Sequence, residues 1–192
     1  DFGDPYRMVD PGIAIKKHPS QYGTHRGIDA ALEIRRAHDI DPAKIRSVHI
    51  ETPVMQYVDR PSPSTGLDGK FSFQYTVASA LWDGQITMDT FTEGMLHRPG
   101  LQALLAKTRL TMDPNISADF DQMWITVTVR TEDGTEHSVR CDRPRGIWGN
   151  PLTREERLAK VRQCAARVLS EAAIGEMIDT VEELELATSR DV

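Results

Sequence analysis

The sequence is poor in cysteine, aromatic residues and long apolar runs, and it carries no excess of positive charge. Its 192 residues include two cysteines, and Cys141 and Cys164 lack the paired spacing of a zinc site or a redox motif. Such low cysteine usage predicts a reducing, cytoplasmic environment, with a single disulfide as the alternative. Two distant cysteines also exclude an iron–sulfur cluster held by three thiolates.

The remaining shortages limit the partners that the chain can have. No segment approaches the roughly 20 consecutive apolar residues of a membrane span, so we expect no membrane partner. A formal net charge of -6 argues against nucleic acid, because phosphate binding requires a clustered positive surface. An anionic small-molecule substrate stays compatible, since a local cationic pocket can lie within an acidic protein.

Hydrophobic periodicity predicts a single α+β domain over residues 1–192, with a small, mostly antiparallel sheet, packed helices and a C-terminal helical pair. Strands are expected at 45–52, 108–112, 123–131 and 136–141, the last two joined by an Asp133-Gly134 turn. Helices are expected at about 24–37, 77–84, 90–96, 99–107, 153–170 and from there to Leu186. The composition of residues 61–69 predicts a loop.

One segment combines polar chemistry with a buried helix. Residues 70–84, KFSFQYTVASALWDG, place a cation, a hydroxyl and a phenol just before an apolar helix that Gly84 would end. The segment resembles the K-F-S-x-x-Y-x-x-A-x-A-L-x-D-G signature of the MmgE/PrpD family, the cofactor-free 2-methylcitrate dehydratases and their relatives. An ordinary amphipathic helix with a polar lead-in is the alternative interpretation.

Two further segments add to this resemblance. Residues 15–31 resemble the family's K-x-x-P-x…H-x-x-I-D-A element, and residues 56–61, QYVDRP, are most similar to its cis-aconitate decarboxylase-like members. The resemblance runs from about Pro5 to the end of the chain and covers the C-terminal portion of a family member. We therefore expect the family's large N-terminal helical domain to be absent from this chain.

The resemblance implies catalytic roles for His25 and Tyr75. At the start of a predicted helix the dipole favours neutral imidazole, which suits His25 to act as a base or a donor near pH 7. The phenol of Tyr75 suits donation to a carboxylate or help in proton transfer. Taken without the family, His25 would be a helix-start residue bonded to backbone, and Tyr75 a core aromatic.

Carboxylate binding is assigned to lysine and serine side chains. The resemblance implies this role for Lys16, with the neighbouring Lys17 as the alternative inward-facing residue. Lys70 and Ser72 are weaker candidates for substrate binding. Solvated lysines and a serine that caps the following helix are the plainer interpretations.

The resemblance implies a lyase that works without a cofactor on a tricarboxylate. Dehydration of 2-methylcitrate, a step of propionate catabolism, is the first expectation, and decarboxylation of cis-aconitate is the alternative. Epimerisation of an amino-dicarboxylate and a non-catalytic acid-binding module or partner subunit are further alternatives. Lys16, His25 and Tyr75 would form one wall of the pocket, the missing helical domain would form the other, and the whole protein would be a homodimer. We expect the isolated chain to be nearly inactive.

No metal site is expected. The other histidines have no metal-ligand spacing with one another or with the cysteines; they are His18, His38, His49, His97 and His137.

Overall fold

The computed structural model describes residues 3–184. The chain divides into two compact units, Asp1–Pro151 and Leu152–Val192. Within the described residues, the helices are α1 (His25–His38), α2 (Gly66–Phe71), α3 (Phe73–Asp83), α4 (Glu93–Leu96), α5 (Pro99–Leu105), α6 (Arg154–Ala165) and α7 (Glu171–Glu182). The strands are β1 (Ile45–Thr52), β2 (Thr108–Met112), β3 (Ile125–Thr131) and β4 (Glu136–Cys141). The predicted α+β class and the predicted strand positions are confirmed.

The four strands form one sheet in the order β2-β1-β3-β4. Strand β1 pairs antiparallel with β3, and β3 pairs antiparallel with β4. The turn between β3 and β4 contains Gly134, whose φ of 87° lies in the left-handed region that favours glycine. This hairpin is the one that the Asp133-Gly134 pair predicts.

The sheet is mixed, which corrects the expectation of a mostly antiparallel one. Strand β1 pairs parallel with β2, with Val48 opposite Thr108 and Thr52 opposite Met112. The two strands are separated by the long segment 53–107, which holds helices α2 to α5. A crossover of this length lets the chain re-enter the sheet in the same direction, whereas hydrophobic alternation carries no information on strand direction.

The expected loop is confirmed for residues 61–65, whereas helix α2 corrects it for residues 66–69. Thr65 starts this helix, because its side-chain oxygen accepts a hydrogen bond from the Asp68 N–H at 3.1 Å. Because two of its six residues are glycines, which have low helix propensity, the sequence does not predict this helix. Helix α3 follows at once and ends where predicted, since Gly84 adopts φ 71° and donates its N–H to Ala80 O at 3.0 Å.

The core of the first unit lies between the sheet and helices α1 and α3. The buried side chains of β1 are Ile45, Val48, Ile50 and Thr52, and β3 alternates in the same way. Gly27 permits close packing of α1 on α3, because a Cβ there would lie 2.3 Å from Phe73 Cε1.

The second unit contains the predicted helical pair. A capping box opens α6: the Thr153 hydroxyl accepts from the Glu156 N–H, and the Glu156 carboxylate accepts from the Thr153 N–H. Helix α6 ends at Ala165 rather than near Ser170, because the Ser170 side chain is instead the N-cap of α7. The predicted helix end at Leu186 lies outside the described residues.

Among the described helices, none is long and apolar enough to cross a membrane. Cys141 and Cys164 are both free.

Candidate functional site

Backbone hydrogen bonds bring together two of the sequence segments that carry the predicted site residues. The Gln21 N–H donates to Lys70 O at 2.9 Å, so the segment before α1 lies against the end of α2. The Gln21 side chain also starts the 3-10 turn Tyr22–Thr24, because its Oε1 accepts from the Gly23 N–H at 2.5 Å. This turn runs directly into α1, whose first residue is His25.

His25 is fully buried at this junction. Its ring packs edge-on against His18 and Tyr22, with ring centroids 5.2 Å and 4.9 Å away. Within residues 3–184 neither ring nitrogen forms a hydrogen bond of good geometry, although the Ser20 backbone lies close enough to favour the protonated ring slightly. Burial, with smaller contributions from His18 and Lys16, lowers the pKa of His25 to about 3. The imidazole is therefore neutral at pH 7 and can give or accept a hydrogen bond without carrying charge.

A pair beside His25, formed by buried His18 and half-buried Asp29, was not predicted from the sequence. His18 Nε2 donates to Asp29 Oδ1 at 2.9 Å, and Asp29 Oδ2 accepts from the Arg145 N–H at 2.7 Å. Burial alone would raise the pKa of Asp29, but the hydrogen bond and charge of His18 and the Arg145 N–H hold it below its usual value. Eleven residues separate His18 from Asp29, so no local pattern indicates the pair.

Lys16 and Lys17 act on different members of this cluster. Lys16 is exposed, its Nζ donates to Ser20 O at 3.2 Å, and its charge helps to lower the pKa of His25. Lys17 is half-buried, and its charge helps to lower the pKa of Asp29. Both ammonium groups therefore lie near the start of α1, with Lys16 on the side of the imidazole.

Lys70 and Ser72 lie at the joint between α2 and α3. Lys70 is half-buried in the last turn of α2, and its Nζ is 5.7 Å from the centroid of the Phe91 ring. Ser72 is fully buried and is the N-cap of α3: its Oγ accepts from the Tyr75 N–H at 2.9 Å and donates to Arg60 O at 2.6 Å. The hydroxyl of Ser72 is thus used by the fold in both directions.

Tyr75 lies in different surroundings from His25. The side chain is fully buried, and its hydroxyl donates to Thr90 O at 2.5 Å. Gly69 leaves room for the ring, because a Cβ there would lie 3.1 Å from Tyr75 Cδ1. Burial raises the pKa of Tyr75, so the phenol keeps its proton. Within residues 3–184 no hydrogen bond or ring contact joins Tyr75 to His25, and the convergence of these two residues on one surface stays a prediction.

The segment 56–61 borders the same junction. The Gln21 Nε2 reaches the hydroxyl of the exposed Tyr57 at 3.5 Å. Arg60 pairs with Asp68 of α2 at 2.5 Å, and its backbone N–H donates to Gln74 Oε1 at 3.2 Å. The sequence drew attention to this segment by resemblance alone. Only the folded structure shows which side chains of this segment lie beside Gln21.

A cavity of about 300 Å³ lies elsewhere in the first unit and contains none of the predicted site residues. It is lined by the end of α1 and the β3–β4 hairpin, where the rings of His38 and His137 stack with centroids 3.8 Å apart. Within residues 3–184 no group of three His, Cys, Asp or Glu side chains is arranged to hold a metal ion.

Comparison with known proteins gives two results. The sequence profile of the MmgE/PrpD C-terminal domain matches residues 18–186. The chain is 32% identical over 180 residues to cis-aconitate decarboxylase of Mus musculus and 32% identical over 178 residues to that of Homo sapiens. Each alignment covers 90% of this chain but 37% of the relative, so the chain spans little more than a third of their length.

Proposed function

The chain belongs to the MmgE/PrpD family, represented by that family's C-terminal domain, and on this premise we propose that the whole protein is a lyase acting on tricarboxylates. The observation that carries the proposal is the Gln21–Lys70 hydrogen bond of 2.9 Å. It joins the backbones of the two segments on which the family resemblance rests, and this supports a shared role for the lysines that the two segments carry. A substrate with three carboxylates requires such cations, because each carboxylate must exchange water for a charged partner.

Among the candidates, Lys16, Lys17 and Lys70 are the side chains best suited to bind the substrate. All three are exposed or half-buried, and their ammonium groups are point charges that can reach a carboxylate. Ser72 is less suited, because its hydroxyl caps α3 in the fold.

His25 and Tyr75 remain the proposed catalytic residues of this chain. The low pKa of His25 keeps it neutral, so it would act as a base or a hydrogen-bond donor and not as an imidazolium acid. Tyr75 would reach a substrate only by giving up its bond to Thr90 O. Further acid and base groups would come from a helical domain elsewhere in the protein, with the active site between the two domains of a cytoplasmic homodimer.

Two reactions are candidates. Decarboxylation of cis-aconitate is favoured by the two relatives, both of which are cis-aconitate decarboxylases. Dehydration of 2-methylcitrate is the second candidate, supported by the resemblance of residues 70–84 to the dehydratase signature. The choice between such substrates rests on about 1–3 kcal/mol of pocket contacts.

The test is to incubate the full-length protein with cis-aconitate and, separately, with 2-methylcitrate, and to follow the products by proton NMR. Release of carbon dioxide from cis-aconitate supports the first reaction, and loss of water from 2-methylcitrate supports the second. Turnover of neither acid, or of either acid by residues 1–192 alone at the full rate, contradicts the proposal.

The variant Lys16→Met in the full-length protein tests the binding role. Losing one charged hydrogen bond to a carboxylate should raise KM by about 10- to 100-fold while kcat changes less. Lys44→Met is the matched control, since Lys44 is an equally exposed lysine on another part of the first unit. An unchanged KM for Lys16→Met, with Lys17→Met affected instead, would assign the role to Lys17.

A further inference from the structure

Most of the unsatisfied buried polar atoms of the described chain fall on one turn. They are the Tyr22 hydroxyl oxygen, His25 Nδ1, His25 Nε2 and Arg26 Nη1, with Ser79 Oγ of α3 as the other one. An unsatisfied buried polar atom costs about 1–3 kcal/mol, so native proteins rarely keep several of them together without a ligand or water. The concentration of these atoms at the start of α1 indicates that something binds there.

Tyr22 contacts His25 directly, and Phe120 links Tyr22 to Arg26. The His25 and Tyr22 rings lie 4.9 Å apart, and Tyr22 stacks on Phe120 with centroids 5.1 Å apart. The Arg26 guanidinium lies over the same Phe120 ring at 4.7 Å. The charge of Arg26 also acts on the Tyr22 hydroxyl, opposing the rise of its pKa that burial causes.

The positive charge of Arg26 indicates which kind of molecule would bind at this turn. Its side chain is fully buried, yet its two hydrogen bonds go to neutral backbone carbonyls, Phe120 O at 2.7 Å and Asp142 O at 2.9 Å. No carboxylate within residues 3–184 forms an ion pair with it at bonding distance, and burial lowers its pKa. The charges of Asp142 and Asp121 act on Arg26 from further away and do not cancel the effect of burial. A buried cation without an ion-pair partner at bonding distance is costly, so an anion is favoured over water beside Arg26 Nη1.

The surroundings fit a small anion. The first turn of α1 contains no acidic residue and presents the positive end of the helix dipole. The charge of Asp29, in the next turn, acts on Tyr22 and His25, but both of its oxygens are already bonded to His18 and to the Arg145 N–H. Arg26 Nη1 and the Tyr22 hydroxyl both donate, and either nitrogen of neutral His25 can donate as well. We propose that the start of α1 is an internal binding site for one small, singly charged anion, a halide or a carboxylate group, held by Arg26, Tyr22 and His25. This inference stands whether or not the whole protein is a lyase.

Crystals of the protein grown in sodium bromide provide the direct test. The expected result is an anomalous bromine peak within hydrogen-bond distance of Arg26 Nη1 and the Tyr22 hydroxyl. A parallel crystal grown in acetate separates the two sources, because planar density at the same place would identify a carboxylate site. An ordered water without anomalous signal at this place, or no density, overturns the proposal.

Thermal unfolding supplies an independent measurement at constant ionic strength. Replacing sodium HEPES, whose bulky anion is a sulfonate and neither a halide nor a carboxylate, by sodium bromide should raise Tm by about 3–6 °C, as expected for a ligand that binds only the folded state. The variants Arg26→Met and Tyr22→Phe should lose most of this rise. Arg36→Met is the control, because Arg36 lies on the exposed part of the same helix and should retain it. An equal rise in Arg26→Met and Arg36→Met would contradict the site. Should Arg26→Met fail to fold, Tyr22→Phe removes a single hydroxyl and gives the same comparison.

Discussion

At the scale of single residues, the charge state of His25 follows from its burial. The unfolded imidazole takes up a proton near its ordinary pKa of about 6.5, whereas the folded one does so near 3. Between these values the unfolded chain binds more protons. The stability due to neutral His25 is therefore fully present above about pH 6.5 and is lost as the pH falls towards 3.

This difference predicts a pH-dependent loss of stability that depends on His25. The free energy of unfolding should fall on the order of 4 kcal/mol between pH 6.5 and 3 because of this one group. In His25→Gln that part of the slope should disappear. Urea unfolding at several pH values measures it, with His97→Gln, a variant at an exposed histidine, as the control that keeps the slope. A slope unchanged in His25→Gln would show that the imidazole is not buried neutral.

Asp29 is the residue on which the neighbouring polar cluster depends. Its two oxygens accept from His18 Nε2 and from the Arg145 N–H. Asp29→Ala removes the acceptor that both donors share, and we expect a loss of about 2–4 kcal/mol in the free energy of unfolding at pH 7. Glu33→Ala, on the exposed part of the same helix, should change it by less than about 0.5 kcal/mol. Equal losses in the two variants would contradict the structural role given to Asp29.

At the scale of elements, the contact between α1 and α3 is the one that positions the candidate site. Helix α1 carries His25, and α3 follows directly on the segment that carries Lys70 and Ser72. Their close approach depends on Gly27, where a Cβ would lie 2.3 Å from Phe73 and 3.0 Å from Val77. Both of these side chains are fully buried and have little room to move.

Alanine substitutions at two helical glycines should therefore have opposite effects on the free energy of unfolding. Gly27→Ala should destabilise the protein by about 1–3 kcal/mol, because overpacking outweighs the better helix propensity of alanine. Gly175→Ala in α7 should stabilise it by about 0.5–1 kcal/mol, since nothing lies within 4 Å of its added Cβ. Urea denaturation of both variants checks the pair. A neutral or favourable Gly27→Ala would mean that α1 and α3 are further apart.

At the scale of the whole molecule, the first unit has its own hydrophobic core. The buried apolar cluster extends from Ile28 to Val129, and its partly buried neighbours end at Cys141. The described part of the second unit contains two helices, α6 and α7, each with twelve residues. Helices of that length are marginal in isolation.

We therefore expect residues 1–151 to fold by themselves. This fragment should show a single cooperative urea transition and a near-ultraviolet circular dichroism spectrum of a packed core. The peptide 152–192 should be largely unfolded under the same conditions. Loss of the cooperative transition in the longer fragment would show that the core requires residues beyond 151.

The features that depend on neighbouring residues could be predicted from the sequence. Alternating apolar residues located the strands, Asp133-Gly134 located the hairpin, and Gly84 located the end of α3, because backbone conformation is a local property. The two motif segments likewise indicated the family, since motifs are read in the order of the chain. These predictions succeeded because the folded chain keeps the local conformations that neighbouring residues favour.

Properties that depend on residues far apart in the sequence became known only from the tertiary structure. The parallel pairing of β2 follows from the path of a long crossover, and the His18–Asp29 pair and the unsatisfied atoms of Tyr22 and Arg26 follow from packing. The burial that makes His25 neutral and directs the Tyr75 hydroxyl to Thr90 O is also a property of the packed core. A pKa, a buried charge and a hydrogen bond between distant residues depend on which atoms surround a group, and in this chain those atoms come from distant positions.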